Sequence, residues 1–186
     1  RLDVAFLFFL HGKAEAGFYT ASFKIIESLA LMIAGIRASL FPVISRDTFH
    51  DSRQLSRISR ESYRVLLLIC VPISIGIIFI SEYLVEVLYG PDYGPTSSII
   101  KIMGASFFLI ALNEFSIFLL LAVRKTQIAI KITLLAAIFN FTLNWVLIPG
   151  WGTFGAAISF AFTQVFIFSL AYMKLKKNLG IVFPCI

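Results

Sequence analysis

Six side chains set the chemistry open to this chain: Lys24, Glu27, Asn113, Glu114, Asn140 and Asn144, each inside a long apolar stretch. Charged and amide groups in hydrocarbon cost free energy unless partnered, so they should face a bundle interior or a wet cavity. There an ammonium attracts anions, amides exchange hydrogen bonds with hydroxyls, and a carboxylate carries a proton or pairs with a cation. Glu27 sits ~15 Å into its stretch, near a bilayer midplane, and Lys24 precedes it by about one turn on the same face. The two either neutralise each other, a structural role, or line a cavity as a proton- or substrate-responsive pair. Asn113 and Glu114 also stand too deep in their stretch to dismiss. Asn140 and Asn144 share one helical face; they either hydrogen-bond helix to helix, at ~0.6 kcal/mol, or line a pathway. Lys101 and Lys131 stand near enough to the ends of their stretches to snorkel, and Arg37 is a closer case.

The elements that must position these groups follow from composition. Of 186 residues, 59% are hydrophobic and 14% charged, and the mean hydropathy is +0.93. A water-soluble domain is ~45–50% apolar and ~25% charged, so this is an all-α bilayer protein. The net charge of +6 is no nucleic-acid footprint, because the basic residues fall mainly in short segments between apolar stretches. Cys70 and Cys185 make neither a disulfide framework nor a metal spacing. His11 and His50 fall in loops, and no phosphate-loop, dinucleotide, zinc-protease or C-x-x-C motif occurs. No catalytic constellation, cofactor or metal is expected. The chain opens without Met directly into an apolar run, which reads as a piece of something longer.

A crossing helix needs ~20 mostly apolar residues. The pattern predicts a truncated span over 1–10 and full spans over 17–44, 62–81, 96–122, 126–148 and 153–173. Pro72, inside the second full span, predicts a kink. The basic stretch 45–64 carries Arg46, Arg53, Arg57, Arg60 and Arg64; 82–95 carries only Glu82, Glu86 and Asp92. Arg124 and Lys125 follow, then the uncharged Pro149–Gly152 turn, then Lys174, Lys176 and Lys177. Basic connections alternate with neutral or acidic ones, so by the positive-inside rule the basic ones, and the end of the chain, face the cytoplasm. Arg53, Arg57, Arg60 and Arg64 share a helical face; they either only set topology or hold a surface helix to anionic headgroups. Gly152, Gly155, Ala156, Ala157 and Ser159 predict a close helix–helix approach.

Several segments, taken in order, resemble the second half of the lipid-linked oligosaccharide flippases, the polysaccharide branch of the multidrug/oligosaccharidyl-lipid/polysaccharide exporter superfamily. They are Gly17-Phe18-Tyr19-Thr20-Ala21-Ser22, Leu40-Phe41-Pro42-Val43-Ile44-Ser45, Leu88-Tyr89-Gly90 with Tyr93, and Asn140, Asn144, Ile148-Pro149, Gly152 and Gly155-Ala156-Ala157. The resemblance implies two pseudo-symmetric six-helix lobes around a cavity that opens alternately to either face. Residues 1–186 would be most of the second lobe, partnered by a first lobe of the same protein. It implies a cell-membrane protein, not an enzyme, that carries polyprenyl-diphosphate-linked oligosaccharide outward for polysaccharide biosynthesis. Lys24 would attract the diphosphate, Asn113, Asn140 and Asn144 would hydrogen-bond sugar hydroxyls, and Glu27 would couple the cycle to protons or sodium. These placements come from depth and chemistry, since the shared motifs are mainly structural. A multidrug extruder of the same superfamily is the rival reading, kept open by Glu27 and Glu114, and a lipid II-type flippase is a third relative. A membrane glycosyltransferase or acyltransferase would need catalytic groups at the boundary and a larger loop domain.

Overall fold

The computed structural model describes the backbone of residues 2–47 and 52–179 and the side chains of 2–35 and 55–177. The chain folds as α1 (Leu2–His11), α2 (Lys13–Asp47), α3 (Ser52–Tyr89), a 3-10 turn at Pro91–Tyr93, α4 (Gly94–Ala105), α5 (Phe107–Ala122) and α6 (Thr126–Leu179). Among the described residues there is no strand. The side chains of Arg37, Arg46, His50, Arg53 and Cys185 lie outside the described residues, as does the Leu40–Ser45 segment at side-chain level.

The exposed surface is far more apolar than that of a water-soluble protein, and small hydroxyls lie inside. Phe9 and Phe79 are each 83% exposed, while Ser22, Ser59, Ser81, Ser116 and Ser159 are fully buried. Such a surface is satisfied by lipid, with the polar groups turned inward. Helices α2 over Lys13–Gly35, α3 over Leu55–Tyr89 and α6 over Thr126–Lys177 are long and apolar enough to cross a membrane, and α4 with α5 passes as one bent crossing. The 52 residues of that last segment are over twice what one crossing needs, ~20. The helix in fact reverses at Gly152, whose φ of 52° and ψ of −131° are open only to glycine. Phe139 stacks on Phe166 at 4.4 Å across the fold. Gly155 permits the reversal: a Cβ there would lie 2.4 Å from the Leu147 carbonyl oxygen. The two arms of α6 are therefore the two expected spans, and the small residues after the turn serve the approach predicted for them.

Two expectations are corrected. The basic stretch is not all loop, because α3 begins at Ser52 and runs unbroken through Pro72 to Tyr89. Its first turns bury Leu55, Ser59 and Ser62 and expose Arg57, Arg60 and Arg64, an amphipathic pattern that hydropathy reads as a gap between spans. The expected 96–122 helix is broken at Ser106, where α4 and α5 bend by 47°. At the corner Ser106 N–H turns back to the Met103 carbonyl at 3.1 Å, and the Phe108 N–H finds the hydroxyl of Ser74 on α3 at 3.1 Å. That bond supplies an acceptor the new helix's first turn lacks.

The core lies where α3 packs on α4 and α5. Tyr63 stands edge-on to Phe115 at 4.9 Å, and its hydroxyl meets the Ser116 Oγ at 2.8 Å. Ser116 in turn donates to the Leu112 carbonyl at 2.6 Å, so Tyr63 is the donor of the pair. Ile99, Ile100, Met103, Phe107 and Leu119 close around them at 0–1% exposure.

Candidate functional site

Asn113 and Asn144 are buried and Asn140 is half-buried. Asn144 Nδ2 donates to Asn140 Oδ1 at 2.9 Å, and Asn140 Nδ2 donates across the hairpin to Thr163 Oγ1 at 3.0 Å. Thr163 passes its own proton to the Ser159 carbonyl, and Ser159 to the Gly155 carbonyl. A polar ladder thus ties the two arms of α6 together. Asn113, on α5, donates at 2.9 Å to both the backbone carbonyl and the side-chain oxygen of Gln164. Asn113 and Asn140 thus donate to another helical segment, while Asn144 donates to Asn140 one turn away on its own arm. The carbonyl oxygens of Asn113 and Asn144, at 4% and 1% residue exposure, have no partner among the described residues, and a buried acceptor left so costs ~1–3 kcal/mol.

Beside the fold of α6, the α1–α2 corner supplies a clamp. His11 Nε2 donates to the Ile148 carbonyl at 2.8 Å, near the end of the first arm. Glu15 accepts the Thr153 N–H at 3.3 Å, the first donor of the second arm. Each satisfies a backbone group that the break at Gly152 sets free. A carboxylate at a helix N-terminus is also favoured by the helix dipole.

The ionic candidates stand apart from this interior. Lys24 and Glu27 are both exposed on α2, and Glu114 is exposed on α5. Lys101 does not merely snorkel: its ammonium meets Glu82 at 2.6 Å. Lys24 also lines a cavity of about 350 Å³ with Ala16, Gly17, Thr20, Ala21, Tyr89 and Tyr93.

A family model, described as lipid II flippase MurJ, matches residues 4–185. The chain belongs to the lipid II flippase MurJ family. Curated relatives include a probable low-salt glycan biosynthesis flippase, Agl15, of Haloferax volcanii, 21% identical over 86% of this chain and 34% of that protein. A putative O-antigen transporter of Shigella flexneri is 26% identical over 81% of this chain and 36% of its own length. A probable lipid II flippase MurJ of Bdellovibrio bacteriovorus is 25% identical over 70% and 26%. The chain thus spans about a third of the first relatives it matches. Membership in this family agrees with the exporter superfamily that the ordered motifs resemble, and the relatives bear the names of flippases and transporters.

Within this member of the family, sequence reasoning missed His11 and Glu15. His11 closes α1 instead of lying in a loop. Their partners lie 137 and 138 residues away, and no local pattern joins them. The one available signal was the Pro149–Gly152 turn, whose neighbouring helix ends had to find partners somewhere.

Proposed function

We propose that this chain is the second lobe of a flippase that moves polyprenyl-diphosphate-linked saccharide from the cytoplasmic to the outer face of the cell membrane by alternating access. The observation that carries the reading is an ammonium and a carboxylate, Lys24 and Glu27, exposed one turn apart on a membrane-crossing helix of a MurJ-family chain. Charges at this depth are retained where they line a polar path, here one closed by a first lobe of the same protein. Lys24 attracts the diphosphate, and Glu27 and Glu114 are the groups that couple the cycle to protons or sodium; Asn113, Asn140 and Asn144, already bonded within the protein, hold the helices together. Residues 45–64 and the end of the chain face the cytoplasm, on the alternation of basic connections. The protein binds and reorients its substrate without making or breaking a bond in it.

The test is made in the host cell after loss of the full-length gene. Labelled polyprenyl-diphosphate oligosaccharide is scored for exposure at each face with a non-permeant probe. Accumulation at the cytoplasmic face, rescued by the wild type but not by Lys24→Ala or Glu27→Gln, is the expected result. Normal distribution, with new sensitivity to cationic drugs, would replace the flippase by an extruder.

A further inference from the structure

The cavity beside Lys24 has a chemistry that the polar interior of α6 lacks. From Lys24 it runs along α2 past Thr20 to Gly17, one and two turns toward the start of the helix, ~6 and ~10 Å. Its far wall is Tyr89, at the end of α3, and Tyr93, in the turn before α4. The two rings are stacked at 5.3 Å and 29°, and Phe18 braces Tyr93 edge-on at 5.6 Å. Tyr89 is further tied by a long bond, 3.5 Å, to the Ala21 carbonyl. Thr20 donates to Ala16 at 2.7 Å, which leaves its lone pairs as acceptors. The cavity therefore joins one cation to three hydroxyls on a braced aromatic wall. Its floor at Gly17 is empty: a Cβ there would meet nothing within 4 Å. A volume of about 350 Å³ lies within the range of small-molecule sites, ~300–1,000 Å³.

We infer that this cavity is a saccharide subsite: it holds the first sugar of the lipid-linked substrate beside the diphosphate held at Lys24. The inference rests on the flippase reading. In a glycosyl diphosphate the sugar is bonded directly to the second phosphate, so an anion at Lys24 places the ring within one or two helical turns of it. Toward Gly17, that distance is the hydroxyl-lined part of the cavity. Braced Tyr rings present hydroxyls and apolar surface with little motion left to lose, which suits a sugar's mixed faces. An anionic phospholipid headgroup carries the same combination of phosphate and hydroxyls and is the other source of such a ligand.

The test uses the full-length protein in nanodiscs, with two probes: geranyl diphosphate and geranyl-diphosphate-N-acetylglucosamine. Gly17→Leu puts a side chain into the cavity at a point where its Cβ meets nothing within 4 Å, and Tyr93→Phe removes one hydroxyl only. Both are expected to weaken the sugar-bearing probe, Gly17→Leu by about tenfold, and to leave geranyl diphosphate unchanged. Lys24→Met weakens both probes, and Tyr83→Phe, 73% exposed outside the cavity, changes neither. Unchanged binding of the sugar probe by both cavity variants overturns the subsite while sparing the flippase reading. Failure of the wild type to bind either probe overturns both. Loss of sugar-probe binding when phosphatidylglycerol replaces phosphatidylcholine in the nanodisc assigns the cavity to a lipid headgroup and overturns the subsite.

Discussion

Glu15 accepts the backbone N–H of Thr153 at 3.3 Å although 138 residues separate them. This bond, with that of His11 to Ile148, gives a reversal in the middle of a hydrophobic hairpin the caps that water would supply elsewhere. Removing the acceptor in Glu15→Ala should cost about 1 kcal/mol, the usual value of an N-terminal cap, while Glu15→Gln, which keeps an acceptor, costs less. Reversible unfolding of the purified full-length protein measures both. Equal losses for Gln and Ala would mean that the charge, not the bond, is what matters.

The reversal itself predicts an order of damage. At Gly152 a Cβ meets Glu15 Oε2 at 3.3 Å, a side chain that can give, but at Gly155 it meets the Leu147 backbone at 2.4 Å. Gly152→Ala is expected to cost ~1–3 kcal/mol through its left-handed backbone. Gly155→Ala should cost more, because the two arms must part. Folded yield and thermal midpoint report this order, and a milder Gly155→Ala would contradict the close approach.

For the asparagine ladder the quantity is a coupling. A double-mutant cycle of Asn140→Ala with Thr163→Val should return ~0.6 kcal/mol, the average for interhelical hydrogen bonds in membranes. A value near zero would show that the pair is only adjacent.

At the α4–α5 corner, Ser74→Ala deprives the Phe108 N–H of its partner, at ~1–3 kcal/mol if nothing replaces it. Hydrogen exchange at Phe108 should speed up while exchange at Leu119 stays slow. Unaltered protection at Phe108 would assign the corner to packing alone, with Gly104 seated on Ile77.

Lys24→Met and Glu27→Gln should separate function from fold. Both side chains are exposed, so the thermal midpoint should shift by no more than ~0.5 kcal/mol equivalent, while transport in the cell assay falls. A large loss of stability would give the two residues a structural role.

Much of this architecture was legible because hydropathy and the small-residue turn act locally. The spans and the reversal after Pro149 follow from residues near one another in the chain. The Ser106 break was not legible: Gly104-Ala105-Ser106 is compatible with a straight helix, and only Ser74 on another helix makes the corner affordable. The start of α3 was read as a connection because hydropathy reports membrane depth and not helicity, and Arg57, Arg60 and Arg64 coil as well as leucines do. The cavity wall of Tyr89 and Tyr93 was visible as residues but not as a surface, since its opposite side comes from α2.

The clamp at Gly152 bears on where the α6 hairpin can part. His11 and Glu15 bind the α1–α2 corner to both arms of α6, so four helical segments share one stem. The hairpin cannot open at that stem without losing both bonds. Its far end is closed as well, with Ala129, Ile132, Ala171 and Leu175 buried, so the pair of arms is a strut seated at both ends and not a hinge.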